Sequence, residues 1–397
     1  MKAARDCPVH GSTDAPITKV AGRMLLTARR EPCVLFFSSS SAPLEKNAQI
    51  HDSYDLNSAK MSEEQAIMPD TIPRSTACRI CGSVSLTSFK AREMMLGWRE
   101  IFDYIECNDC KCVQISDYPA DIARHYPSDY YAYAARPDVA RPGLLTRLAI
   151  SARRLLLELK TTRAMWLRRP VIRNWLSNEP LVKFYVERFP DPRTRMLDVG
   201  CGAGDLLRSL RYWGFQNAEG VDPYIPHNIV DQGRTLVWKR HLSQLSATYD
   251  CISFHHALEH MPDQVNVLTE ARRLLKPGGI IVIRIPLAGT WAWRTYREDW
   301  VQLDAPRHFY VHSERSLRLL AKQAGLAVDT IQYDSVGLQI WGSELYKRDI
   351  PLFDERSPAR GSYATFSVDQ LLEYDRRAEL LNKAGDGDQI LAILRAT

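Results

Sequence analysis

"MLDVGCGAGDLL", residues 196–207, decides how the rest of the chain is read. A short apolar run breaks into glycines at 200, 202 and 204, and helix-forming residues resume at Leu206. A strand that ends in glycines and turns into a helix marks the ligand edge of an open α/β sheet, where the missing Cβ lets a ligand reach the backbone. The spacing is not the G-x-G-x-x-G of a dinucleotide site, because Asp205 falls where the third glycine belongs. A phosphate loop would end in G-K-[ST], and this one does not.

The surrounding residues narrow the ligand. From 194 to 286, β-rich runs ("RMLDVG", "AEGVD", "TLVWK", "YDCISF", "GIIVIRIP") alternate with amphipathic helical stretches. That alternation predicts an α/β fold: a doubly wound, Rossmann-like, mainly parallel sheet with helices on both faces. Asp222, in "GVDPY", follows Gly200 by 22 residues, where a carboxylate accepts both hydroxyls of a ribose. Asp198 puts a second negative charge just before the glycines, which repels a pyrophosphate and suits a cation. S-adenosylmethionine has a sulfonium, an ammonium and a ribose and no phosphate, so the charge pattern selects it.

With these residues in place, 194–286 resembles a class I S-adenosylmethionine-dependent methyltransferase. "YDCISFHHALEHMPD" is similar to the family's fourth strand and the loop after it, and "LLKPGGIIVIRIP" to its turn into the fifth. The resemblance implies a cofactor site of Asp198, Gly200, Gly202, Gly204, Asp222, Pro223 and His255. The family's acidic residue near the adenine is replaced by "KRHLSQL", which leaves His241 or Leu242 as the nearest candidates.

Cys78 and Cys81 in "CRIC" and Cys107 and Cys110 in "CNDC" make two C-x2-C pairs with 25 residues between them. Four thiolates form a closed tetrahedral site, so the expected metal is a structural Zn2+ with no open position for water. Cys112 is a spare that could replace Cys110, because "CNDCKC" lacks the glycine that follows "CRIC". The intervening "FKAREMMLGWREIFDYIEC" reads as a hairpin. The whole segment resembles the zinc-binding part of sugar-modifying methyltransferases, which helps to form the substrate side of the cleft.

Methyl transfer to a hydroxyl requires in-line alignment and removal of a proton, a task suited to histidine. The candidates are His260 first, then His256, which would share a helical face with His260 and have Glu259 nearby, and His308 from "WVQLDAPRHFYVHSERSL", with Asp304 as a further contact. Ser313 reads as a helix N-cap. The tracts "PLAGTWAWRTYREDW" and "HYPSDYYAYAARP" offer aromatic platforms for a sugar face.

Composition bounds the remainder. Of 397 residues, 45% are hydrophobic and 25% charged, and Lys plus Arg exceed Asp plus Glu by only 52 to 47, too little to argue for nucleic-acid binding. Nine cysteines, no secretory signal and no long apolar run predict reduced thiols or metal ligands and a cytoplasmic setting. Residues 1–70 read as disordered, or as preceding a true start at Met61 or Met68. The expected divisions are a zinc-ribbon segment (75–135), a basic helical segment (141–190), the methyltransferase domain (191–345) and a C-terminal helical extension (346–397). The arginines of 141–175 would suit an anionic membrane surface or anionic substrate, against the plainer reading of a solvated helix face. The expected reaction is O-methylation of a small-molecule or glycan acceptor, most of all a sugar, as in polysaccharide biosynthesis. Sugar C-methylation, an RNA-directed protein, and a binding module without catalysis are the alternatives. Oligomeric state is left open.

Overall fold

The computed structural model describes residues 76–127 and 180–397, with Tyr130, Ala132, Tyr133, Gly143 and Leu148 between them. The expectations for 1–70, and for the basic run 141–175 apart from Gly143 and Leu148, lie outside the described residues. All the described residues belong to one compact unit.

Two sheets organise it. The smaller runs β1 (Leu86–Arg92), β2 (Ile101–Cys107), β3 (Val113–Ile115) and then β10 (Tyr310–Val311). The expected hairpin is β1 and β2, antiparallel from Leu86↔Cys107 to Arg92↔Ile101. The larger sheet contains β4 (Met196–Val199), β5 (Ala218–Val221), β6 (Ile229–Asp231), β7 (Arg234–Trp238), β8 (Tyr249–His255), β9 (Leu275–Pro286), β11 (Leu326–Tyr333) and β12 (Gln389–Ala396), in the order β11-β12-β9-β8-β4-β5-β7-β6. Strands β9, β8, β4, β5 and β7 run parallel, and β12 is antiparallel to both of its neighbours. Central β4 is buried at every residue, as a parallel strand covered on both faces must be. The mainly parallel α/β architecture expected from the alternating pattern is therefore the one observed.

Seven α-helices are described: α1 (Pro180–Arg188), α2 (Asp205–Tyr212), α3 (Gln264–Arg273), α4 (Trp291–Tyr296), α5 (Glu314–Gln323), α6 (Leu338–Lys347) and α7 (Val368–Lys383). Ser313 caps α5 as expected, accepting from the Ser316 N–H at 3.1 Å. Two divisions of the chain come out differently. Residues 346–397 are not only helical: after α7, the apolar run "QILAILRA" enters the central sheet between β9 and β11, with Ile390, Ala392 and Leu394 fully buried. Nor is the cysteine segment a separate module. Its sheet is completed by β10, its apolar residues share one core with β8 and β9, and the Ser313 hydroxyl donates to the Cys110 carbonyl at 2.5 Å. A segment this small buries too little apolar surface to stand alone.

Candidate active site

The glycine loop leaves β4 at the carboxyl edge of the sheet. Gly200, Gly202 and Gly204 all have positive φ, and Gly204 caps α2. Gly202 shows why a side chain is excluded: a Cβ there would lie 2.3 Å from the Ala132 carbonyl oxygen, which accepts from the Ala203 N–H at 2.8 Å. The aromatic segment before the sheet is thus laid across the loop.

Two buried acids flank it. Asp222 accepts from the Gly202 N–H through Oδ2 (2.9 Å) and from the Tyr224 N–H through Oδ1 (2.9 Å), so the second strand holds the loop in register with the first. Each oxygen keeps a further acceptor position. Asp198 accepts from the Ser253 hydroxyl at 2.8 Å, and burial, with Asp222 adding repulsion, pushes its pKa up to about 7. Burial raises Asp222 as well. Two carboxylates a loop apart, both disfavoured in their charged form by burial, make a receptor that gains from a cation. Pro223 is half-buried behind Asp222. His241 is exposed at the start of a short turn and Leu242 is buried within it.

The histidines separate into distinct environments. His255 turns toward α1, with Nε2 2.7 Å from the Tyr185 hydroxyl, and burial, Arg284 and His256 hold its pKa well below the usual value. Nε2 is thereby taken up by a packing contact within the fold. His256 has φ +49°, so it precedes the short turn Leu258–His260 instead of belonging to it, and it does not share a helical face with His260. Its Nε2 lies 3.1 Å from Arg284 Nη1; a guanidinium only donates, so this nitrogen accepts. Its Nδ1 stands 3.3 Å from Glu259.

His260 and His308 do come together, their rings 4.7 Å apart and edge to face. His260 Nδ1 lies 2.9 Å from the Arg307 carbonyl and 3.1 Å from the Tyr126 hydroxyl, and His308 Nδ1 lies 2.8 Å from the Gln302 carbonyl. Burial first and then His308 lower the His260 pKa to about 4, which keeps its imidazole neutral near pH 7. Beside these rings lies Glu259, 1% exposed, with His256 Nδ1 3.3 Å and His308 Nε2 4.0 Å from its Oε1. Burial pushes its pKa up, but His256, His260 and His308 outweigh that and hold it at about 2. Glu259 is central here, whereas the sequence pattern made it only a neighbour of the histidines; it follows a strand end in a short turn, and only the fold aims it inward.

Asp304 serves Arg307 more than any ligand. The fully buried Arg307 guanidinium reaches Asp304 Oδ1 at 2.6 Å and Glu93 Oε1 at 2.9 Å, joining the cysteine segment to the loop that carries His308. Burial raises the Asp304 pKa, but Arg307 wins and brings it below the usual carboxylate range. That stabilisation is present above the unfolded value, near pH 4, and is lost as pH falls through the folded value. Arg307→Ala leaves two buried carboxylates without a counter-charge, for an expected loss of about 3–5 kcal/mol in urea denaturation. A loss below about 1 kcal/mol would mean that the network contributes little.

Residues 168–331 match the family model described as a methyltransferase domain. The match ends within β11, so β12, which joins the same sheet, lies beyond the matched residues. Ubiquinone biosynthesis O-methyltransferase of Aeromonas salmonicida is 32% identical over 100 residues, covering 22% of this chain and 42% of that protein. An uncharacterized 37.1 kDa protein from a Streptomyces fradiae transposon is 28% identical over 168 residues, or 35% and 45% of the two chains. The chain thus spans less than half the length of these curated relatives. Among solved structures, a Burkholderia thailandensis 1,6-didemethyltoxoflavin-N1-methyltransferase aligns at 14% identity over 66% of this chain and 94% of that one, with a TM-score of 0.32. A Brevibacillus brevis O-methyltransferase with S-adenosyl-L-homocysteine aligns at 15% identity over 66% and 84%, with a TM-score of 0.34.

In the segment that carries β1 to β3, Cys78, Cys81, Cys107 and Cys110 place their sulfurs within 4.8 Å of one another. The two knuckles are built alike. Gly82 N–H donates to Cys78 O at 2.8 Å and Lys111 N–H to Cys107 O at 2.9 Å, while Cys78 N–H donates to Ser83 O and Cys107 N–H to Cys112 O. Lys111 takes the positive φ (+60°) that Gly82 takes in the first knuckle (+75°), so the missing glycine does not distort the second. Cys112 accordingly stays out of the cluster, fully buried with its sulfur toward the Val113 carbonyl and His312.

The aromatic tracts divide as well. Trp293 and Trp300 are buried, with their indole N–H groups donating to Glu106 (3.3 Å) and Asp388 (2.8 Å), so they fill the core between segments and offer no face to a sugar. Tyr126, Tyr130 and Tyr133 form a chain of rings spaced 5.1 and 6.0 Å apart, running from His260 toward the glycine loop.

Proposed function

We propose that this chain transfers a methyl group from S-adenosylmethionine to a hydroxyl of a small-molecule or glycan acceptor, a sugar above all. The observation that carries the reading is the pair of buried acids, Asp198 and Asp222, on a glycine loop that a phosphate would avoid. Asp222 would take the ribose hydroxyls, and Asp198 would face the cationic end of the donor. Acceptor activation falls to the cluster around His260 and His308, beside which Ala257 abuts Gly200 so closely that a Cβ at Gly200 would lie 2.7 Å from its own. The four cysteines fit a structural Zn2+: all four sulfurs converge, and Cys78 Sγ also accepts from Gln114 Nε2 at 2.9 Å, the kind of donor that supports a thiolate. Such an ion would hold the substrate side together and take no part in the reaction.

A pH titration tests the donor site. The Asp198 carboxyl, raised to about 7 by burial, is protonated below that value, and a cationic donor favours the carboxylate. Affinity for S-adenosylmethionine should be full above pH 7 and fall about tenfold per unit toward pH 5, with proton uptake on release. A flat profile in calorimetry from pH 5 to 7.5 would remove Asp198 from the donor site. For the reaction itself, His260→Ala should lower kcat by about 10²–10⁴ while donor affinity stays within a factor of two. The assay is S-adenosylhomocysteine release across a panel of sugars and phenols, and wild-type release with no acceptor in the panel would defeat the hydroxyl reading.

A further inference from the structure

We infer that Glu259, His260 and His308 bind a divalent transition-metal ion that activates the acceptor hydroxyl. The inference rests on the methyl-transfer reading for the ion's role, and on the geometry alone for its binding. One donor atom from each of the three residues lies within 4.8 Å of the others. Both imidazoles are oriented as metal ligands are. Their Nδ1 atoms lie 2.9 and 2.8 Å from backbone carbonyls, which only accept, so the hydrogen sits on Nδ1 and the Nε2 lone pair is presented. His308 Nε2 is 4.0 Å from Glu259 Oε1. Metal–ligand bonds of about 2.0–2.2 Å put neighbouring ligand atoms about 3.0–3.6 Å apart, so the set closes with side-chain shifts of up to about 1 Å.

Glu259 supplies the independent observation. Its carboxylate is buried with His256 Nδ1 3.3 Å from Oε1, and among the described residues neither oxygen receives a well-aligned hydrogen bond, a costly state for a buried ionised group. Its main chain is fixed, since the Glu259 carbonyl accepts from the Phe309 N–H at 2.8 Å. Neighbouring charges leave the position to a cation. Arg307 is occupied by Asp304 and Glu93, and Arg284, paired with Asp334, donates to His256 Nε2, which leaves the hydrogen on the Nδ1 that faces Glu259 and keeps His256 out of the ligand set.

Three protein ligands leave open positions for water and an acceptor oxygen. A hydroxyl bound to the ion loses its proton to water near neutral pH. The oxygen then uses an electron pair to form the new O–CH3 bond while the S–CH3 pair returns to sulfur, giving S-adenosylhomocysteine. His260 thereby acts as a ligand and the ion stands in place of a protein base.

The test is a Mn2+ titration of the zinc-loaded full chain, followed by loss of the free-ion electron paramagnetic resonance signal. Mn2+ suits nitrogen and oxygen donors and does not compete for four thiolates. One Mn2+ per chain is expected. Glu259→Gln and His308→Ala should each weaken it at least tenfold with zinc content and circular dichroism unchanged. Chelation of Mn2+ should stop methyl release and Mn2+ should restore it, with calorimetric affinity for S-adenosylmethionine retained throughout. No Mn2+ binding by the wild type, unchanged affinity in a folded variant, or full turnover after chelation would overturn the proposal. Absence of donor binding by the wild type would instead defeat the methyl-transfer reading and leave the Mn2+ result standing.

Discussion

Asp222→Ala should lower affinity for S-adenosylmethionine by at least about 100-fold in titration calorimetry, because two charge-assisted hydrogen bonds of about 1.5–3 kcal/mol each are removed together. The substitution also releases the glycine loop. Oδ2 of Asp222 is the acceptor for the Gly202 N–H and Oδ1 for that of Tyr224, and an alanine leaves the former buried and unpaired. Asp222→Asn separates the two effects, since its carbonyl oxygen still accepts from Gly202 while its amide no longer accepts from both hydroxyls of a ribose. An intermediate loss in Asn and a full loss in Ala is the expected order. Equal, wild-type affinity in both would place the ribose elsewhere, and no binding by the wild type would end the donor assignment.

Cys78→Ser combined with Cys107→Ser should remove about one zinc per chain and unfold the segment that carries β1 to β3. Structural zinc contributes about 10–16 kcal/mol in isolated fingers, more than a three-stranded sheet of this size supplies by packing. The consequence reaches the acceptor side, because the Tyr104 hydroxyl donates to the His308 carbonyl at 2.9 Å and Glu93 pairs with Arg307. Proteolysis should open within 76–115, and turnover should fall with it. Retention of the zinc in the double variant would reject the four-cysteine site. Cys112→Ser serves as the control, and it should keep the metal, since that sulfur points away from the cluster.

The glycine-loop edge of the sheet was legible in the sequence because it is local. The order strand, glycines, helix, strand, acid fixes where Asp198 and Asp222 emerge, and parallel pairing of Asp198 with Gly220 and Ser253 only completes it. The cysteine pairs were legible for the same reason, each knuckle being closed within six residues. The histidines were not. "HHALEH" suggested a shared helical face, but His256 turns back in the left-handed region toward Arg284, and a tripeptide turn replaces the helix. The tryptophans of "TWAWRTYREDW" misled in the same way, because an aromatic that fills a core and one that lines a cleft look alike in sequence.

By itself, then, the sequence determined the parallel α/β sheet, the two acids beside its glycine loop and the four thiols. Each depends on spacing along one or two adjacent elements. Only the tertiary structure decided that Glu259 is buried beside His256, His260 and His308, that Asp304 and Glu93 converge on Arg307, and that the last strand threads between β9 and β11. These contacts join residues up to 214 positions apart, and no local period records them.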